Sequence, residues 1–223
     1  IREPSLVGYW PFNEGTESSA YDYSGHNNTG TLQNGPTWTT LSTGETVLSF
    51  DGSDDYVTMT VPTFTTNDAW TDTGWFRIPS DFNWLTTGHH SIASAGSYEG
   101  AWGFWTLSTN NYVVGGLRVI GYSIYYITYQ ISRDTWYHFA VTYIPSDRKV
   151  RLYINGNYIG VSDSVRSGTY TLKNQFNICQ NRTLGGTSSG YVKAMVDDVR
   201  IYNRALSADE IQALYSNSAG RYH

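Results

Sequence analysis

Between Trp136 and Val161 the chain alternates apolar and polar residues in three short runs, a period that restricts this region to antiparallel sheet. Trp136-Tyr137-His138-Phe139-Ala140-Val141-Thr142-Tyr143 is followed by Ile144-Pro145-Ser146-Asp147-Arg148 and then by Val150-Arg151-Leu152-Tyr153-Ile154. The dipeptide Asn155-Gly156 suits the left-handed angles of a type I′ turn, and Tyr158-Ile159-Gly160-Val161 returns from it. A period of two puts Val150, Leu152 and Ile154 on one face and Arg151 and Tyr153 on the other.

The same reading extends along the chain. Strands are predicted at Leu6 to Phe12, Ala69 to Ile78, Phe104 to Leu107, Leu117 to Ile120, Ser123 to Gln130, Gln175 to Cys179 and Val192 to Tyr202. Thr46 to Phe50 and Tyr56 to Met59 flank Asp51-Gly52-Ser53-Asp54-Asp55, which reads as a hairpin turn. Near the end, Ser207-Ala208-Asp209-Glu210 has the form of a capping box, and Ile211, Leu214 and Tyr215 form an apolar stripe behind it. The expected fold is all-β, with one short C-terminal helix. No linker, repeat or break in composition divides it, so residues 1–223 read as a single domain.

Charge narrows the range of partners. The net charge is −5 and no basic block exists, which leaves nucleic acid without an electrostatic footprint. No apolar run is long enough to span a bilayer, so membrane insertion is not expected. The lone Cys179 sits in a strand pattern and reads as a buried thiol. The start at Ile1, without Met, reads as a processed or excised segment.

Two groups of residues carry candidate chemistry. Ca²⁺ takes about six to eight oxygen ligands from carboxylates, amides, carbonyls and water. Asp22 lies in a loop where Gly25 and Gly30 permit backbone turns, and Asp197 and Asp198 are adjacent on the last strand, their side chains expected on opposite faces. Asp22 is equally compatible with a simple Asx turn. Asp51, Asp54 and Asp55 form a second acidic group, read as a solvated hairpin tip.

The second group is aromatic. Rings make up 16% of the chain, and on polar surfaces such rings stack on sugars. The long stretch from Pro79 to Gly103 and the run that follows it offer Trp84, Tyr98, Glu99, Trp102 and Tyr125 as ligand-binding candidates, with Trp105, Tyr122 and Tyr126 beside them. Trp10, Trp70, Trp75 and Trp136 are assigned to the core. Catalysis has weaker support. The glutamates Glu3, Glu14, Glu17, Glu45, Glu99 and Glu210 do not form the paired run that glycoside hydrolysis uses, and no nucleophile elbow is present. His89, His90 or Glu99 would be the residues to test for a lyase or hydrolase. No catalytic residue is assigned.

Four blocks together resemble a known family. Gly8-Tyr9-Trp10-Pro11-Phe12-Asn13-Glu14-Gly15, with Asp22-x-Ser24-Gly25 and Asn28-x-Gly30, is similar to the entry of concanavalin A-like, laminin-G-like jelly-roll domains. Phe50-Asp51-Gly52 with Asp54-Asp55-Tyr56-Val57 resembles their second block, and Trp136 to Tyr143 with Leu152 to Gly156 their third. Val196-Asp197-Asp198-Val199-Arg200-Ile201-Tyr202-Asn203-Arg204-Ala205-Leu206-Ser207 resembles their exit. The resemblance implies a two-sheet antiparallel jelly-roll sandwich with its first and last strands adjacent. It also implies a structural Ca²⁺, for which Asp22, Asn28, Asp197 and Asp198 are the candidate ligands. The function implied is non-catalytic carbohydrate binding or adhesion at an extracellular, cell or virion surface. The partner would be a glycan, a cell-surface glycoconjugate or a surface protein. Alternatives on the same fold are a polysaccharide-degrading enzyme and a structural attachment domain.

Overall fold

The computed structural model describes residues 3–16, 18–82, 90–96, 100–106, 111–119, 123–182 and 188–222. The predicted alternation builds two antiparallel sheets of eight strands each. Sheet A runs in space as Asn157–Val161, Lys149–Ile154, Trp136–Ile144, Trp70–Arg77, Lys193–Tyr202, Thr46–Asp51 and Thr37–Thr40, and Leu6–Trp10 also pairs with Lys193–Tyr202. Sheet B runs as Ile124–Gln130, Tyr112–Arg118, Trp102–Thr106, His90–Ala95, Gln175–Ile178, Tyr56–Thr60, Gly30–Gln33 and Ser19–Ala20. A short hairpin, Gln180–Arg182 with Ser188–Tyr191, lies beside His90–Ala95. The expected sandwich is the observed one.

The inner faces of the sheets share one continuous core. Val150, Leu152 and Ile154 enter it from sheet A as the alternation requires, and share it with Phe104, Phe176 and Ile178 of sheet B. Phe104 and Phe139 stack across the gap at 4.3 Å, and Gly115 leaves room for Val141 and Leu152, which a Cβ would meet at 2.8 and 2.9 Å. Trp10 and Trp70 join this core. Trp75 and Trp136 are also buried, but on the opposite face of sheet A, with Tyr222 and Tyr215.

One expectation fails. Thr46–Asp51 and Tyr56–Thr60 do not pair as a hairpin, because the first lies in sheet A and the second in sheet B. Tyr56–Thr60 is paired on both edges, by Gly30–Gln33 and Gln175–Ile178, and has no edge left to offer. Asp51 to Asp55 is therefore a corner between sheets, closed by the Asp51 amide donating to Asp55 Oδ2 at 3.0 Å.

The helix Ala208–Ser218 begins at the predicted capping box. Glu210 N donates to Ser207 Oγ, and Ser207 N donates to Glu210 Oε2. Arg204 ties this cap to the N-terminal segment by donating to Ser5 Oγ at 2.8 Å and to Glu210 at 2.8 Å. The hydrogen bond from Arg204 is the main reason that Glu210 titrates at about 2. Ile211 then packs on Ala140, Tyr153, Tyr202 and Leu206 of the outer face of sheet A. Beneath the helix His138 shares a hydrogen bond with Thr73 Oγ1 at 2.9 Å, and burial lowers its pKa to about 3.

Asp72 is the exception to a core built by apolar alternation. It shares the inward phase of Trp70 and Phe76, is fully buried, and neither carboxylate oxygen has a hydrogen-bond partner. Burial raises its pKa well above the usual carboxylate range. The folded chain thus keeps a proton that the unfolded chain releases near pH ~4. The contribution of Asp72 to stability is fully present below that pH and declines as the pH rises. Asp72→Val should stabilise the chain by about 2 kcal/mol at pH 7, the cost of a buried unpaired polar group, with the gain shrinking toward pH 4. Urea unfolding across pH checks this; a variant less stable than the parent at pH 7 would show that Asp72 has a stabilising partner.

Candidate functional site

The two chain ends meet at a seam. Leu6–Trp10 pairs with the distal half of Lys193–Tyr202, in register Tyr9 to Arg200 and Trp10 to Val199. The loop that follows the first strand is fastened to it through Asp22. Asp22 Oδ1 accepts from Tyr9 N (3.0 Å) and Ser24 N (2.8 Å), while Oδ2 accepts from Ser24 Oγ (2.9 Å) and Asn28 N (2.9 Å). Asn28 completes the join, its Nδ2 donating to Val7 O at 2.8 Å and its carbonyl accepting from Trp10 Nε1 at 3.0 Å.

On the other side of the seam the last strand bulges. Asp198 adopts a left-handed φ of 53°, and its pairing with Trp70–Arg77 shifts between Asp197 and Arg200. The bulge cancels the expected opposition of the two carboxylates. Asp197 Oδ2 accepts from Tyr222 Oη at 2.6 Å, and Asp198 Oδ1 accepts from Arg200 at 2.8 Å with Arg221 at 4.0 Å. Both acids thus engage the segment just after the helix. Burial pushes the Asp197 carboxyl well above its usual range. Arg200 lies 4.5 Å above the ring of Tyr9.

These residues do not fit a shared calcium ion as arranged. Asp22 meets donors on both oxygens, and Asp197 and Asp198 turn to Tyr222 and Arg200. Among the described residues, the group of three acids close enough to hold a cation is Asp51, Asp54 and Asp55 at the inter-sheet corner. There Asp51 and Asp55 accept backbone N–H bonds, as turn residues do.

The aromatic candidates separate by strand phase. Trp102 is fully buried, donates Nε1 to Lys173 O at 2.8 Å and packs on Phe64, Trp70 and Phe176. It is a core residue, not a ligand contact. Tyr125 also turns inward, packs against the core and accepts the Arg166 amide on its hydroxyl at 3.1 Å. Its neighbour Tyr126 faces out and is 49% exposed. Trp84, Tyr98, Glu99, Tyr122 and His89 lie outside the described residues. His90 is buried.

The outer faces of the two sheets differ. Sheet A is covered by the C-terminal helix and the residues after it. Among the described residues no helix covers sheet B. Straight across its outer face, from strand to strand, run Tyr126, Gly116, Gly103, Ser94, Asn177, Thr58, Thr31 and Ser19. The small residues in the middle form a floor beside Trp105, whose ring lies against Gly116. Asn177 is buried in this floor and its Oδ1 has no hydrogen-bond partner. Single positions in the sequence gave no sign of this row, since it draws one residue from each of eight separate strands.

Reading for aromatic-rich stretches also passed over Tyr21 and Tyr23. They are 44% and 59% exposed and flank the half-buried anchor Asp22. The signal was an i, i+2 pair of tyrosines around a carboxylate in a loop otherwise rich in Gly, Asn and Ser.

A family model for the concanavalin A-like lectin/glucanases superfamily, of the laminin G type, matches residues 51–212. No curated protein sequence matches the chain. Among solved structures, the botulinum neurotoxin serotype G binding domain superposes with a TM-score of 0.75 at 15% identity, covering 96% of this chain and 51% of the other. The binding domain of botulinum neurotoxin DC in complex with rat synaptotagmin II gives 0.72 at 17% identity, with 97% and 52% covered. A botulinum neurotoxin type C structure, described as showing cell entry dependent on interaction with two ganglioside molecules, gives 0.73 at 15% identity, with 97% and 52% covered. The chain spans about half the length of these neighbours, and at such identities the likeness shows the fold.

Two outcomes follow from the seam. Asp22→Ala should destabilise the chain by about 2–4 kcal/mol, because four donors lose their acceptor, and this is measurable by denaturant unfolding. The thermal midpoint should be unchanged between excess chelator and added Ca²⁺. A clear rise with Ca²⁺ would mean that the ion displaces the donors on Asp22 and stabilises the native state by mass action.

Proposed function

The chain belongs to the concanavalin A-like lectin/glucanases superfamily, and from that premise we propose that it is a non-catalytic module recognising a glycan or a glycan-bearing surface receptor outside the cytoplasm. The observation that carries this reading is the outer face of sheet B. A sugar needs a flat apolar surface and fixed hydrogen-bonding groups at its edge. Tyr126, 49% exposed, supplies a ring for the first, whereas Trp105, Ser94 and Asn177 are buried in the floor beside it.

The fold neighbours support a binding role over a catalytic one. One is a binding domain solved in complex with rat synaptotagmin II, and another is described through the dependence of cell entry on two ganglioside molecules. An extracellular location agrees with such partners, and no helix among the described residues is long and apolar enough to cross a membrane. Calcium forms no part of this proposal, since both oxygens of Asp22 already accept hydrogen bonds.

Isothermal titration against a panel of oligosaccharides and ganglioside headgroups tests the reading, with the parent and Tyr126→Ala compared. The variant should keep the parent's stability, since the ring is half exposed, yet bind at least about tenfold more weakly, or ~1.4 kcal/mol. A parent that binds no saccharide, or a variant with undiminished affinity, would overturn it.

A further inference from the structure

We propose that Tyr21 and Tyr23 form a second recognition surface, separate from sheet B, that takes a neutral, hydroxyl-rich sugar. Among the described residues the large hydrophobic side chains exposed to solvent are Tyr21, Tyr23, Tyr126, Tyr158 and Val161. Isolated exposed apolar groups are ordinary on a protein surface. Two tyrosines on either side of one immobilised residue are a different case.

Immobilisation comes from both sides of the loop. The four hydrogen bonds on Asp22 fix the backbone between the rings. Tyr23 N donates to Tyr9 O at 2.8 Å, and Tyr21 N donates to Glu14 Oε1 at 2.7 Å. The Tyr23 ring meets the Tyr9 ring edge-on at 6.4 Å, and Tyr9 is itself held beneath Arg200. Rigid tyrosines lose little conformational entropy on binding, which is why they serve as anchors in recognition surfaces.

The surrounding groups select the ligand class. Glu14 Oε2 is a buried acceptor without a partner, next to the Tyr21 amide that its other oxygen accepts. It calls for a hydroxyl or amide donor and opposes an anion. Arg200, the cation over Tyr9, is already held by Asp198 at 2.8 Å. Exposed His26 and Asn27 border the rings and add polar edges. Rings and an unmet acceptor, beside an Arg200 already paired, together fit an uncharged saccharide better than a sialylated or sulfated one.

Amide-detected NMR of the intact chain titrated with lactose, maltotetraose, cellotetraose and 3′-sialyllactose tests this. At least one neutral sugar should move the signals of Tyr21, Tyr23 and Asn27, and more strongly than 3′-sialyllactose does. Tyr21→Ala with Tyr23→Ala should abolish those shifts while the remainder of the spectrum keeps its native dispersion. No response at Tyr21 to Asn27 in the parent, or a larger response to 3′-sialyllactose, would overturn the inference. Shifts around Tyr126 in the same spectra report on sheet B separately, so either surface can fail without the other.

Discussion

The antiparallel join of Leu6–Trp10 to the distal half of Lys193–Tyr202 is the constraint on which the rest of the structure depends. Lys193–Tyr202 is the central rail of sheet A, pairing with Trp70–Arg77 along one side and with Thr46–Asp51 and then Leu6–Trp10 along the other. The change of partner on that side coincides with the bulge at Asp197 and Asp198. A bulge sharpens local twist and ends one pairing so that another can start. The charged and aromatic groups at the seam follow from it: Arg200 comes to lie over Tyr9, Asp198 over the reach of Arg221, and Asp197 against Tyr222.

This geometry explains how most of a carboxylate-rich seam is hydrogen-bonded, with Asp197 Oδ1 left buried and without a partner. Asp22 holds a loop to the first strand in the way an Asx turn does, with two further donors recruited from Tyr9 and Asn28. The acids of the last strand are matched by residues following the helix, whose cap is in turn fastened to Ser5 through Arg204. The ends of the chain therefore stabilise each other through the helix as well as through the sheet. Their role is structural, and they also present Tyr21 and Tyr23 on a rigid base.

Much of this was legible from residue patterns. The three strands from Trp136 to Val161 and the capping box at Ser207 rest on short-range periodicity or local side-chain chemistry, which the sequence displays directly, while the adjacency of the two ends was implied by the family resemblance. What was not legible depends on long-range pairing. The turn chemistry of Asp51 to Asp55 identifies a reversal, but which sheet edge each flanking strand finds is decided by residues more than a hundred positions away, such as Gln175–Ile178. Trp102 and Tyr125 read as ligand candidates because composition cannot show strand phase; one residue of register separates partly buried Tyr125 from exposed Tyr126. Asp72 has no signature at all, since nothing in the alternation around Trp70 and Phe76 announces a carboxylate without a partner.

Recognition on sheet B and on the Tyr21 loop both presuppose that the seam is as rigid as the sheets it joins. Native-state hydrogen exchange on the amides of Tyr9, Ser24 and Asn28, the three backbone donors to Asp22, measures this directly. Closure of the sandwich by these bonds predicts exchange only through global unfolding, at the slow rate of core amides such as those of Phe139 and Val141. Exchange of the three amides by fast local opening, with the core still protected, would contradict it.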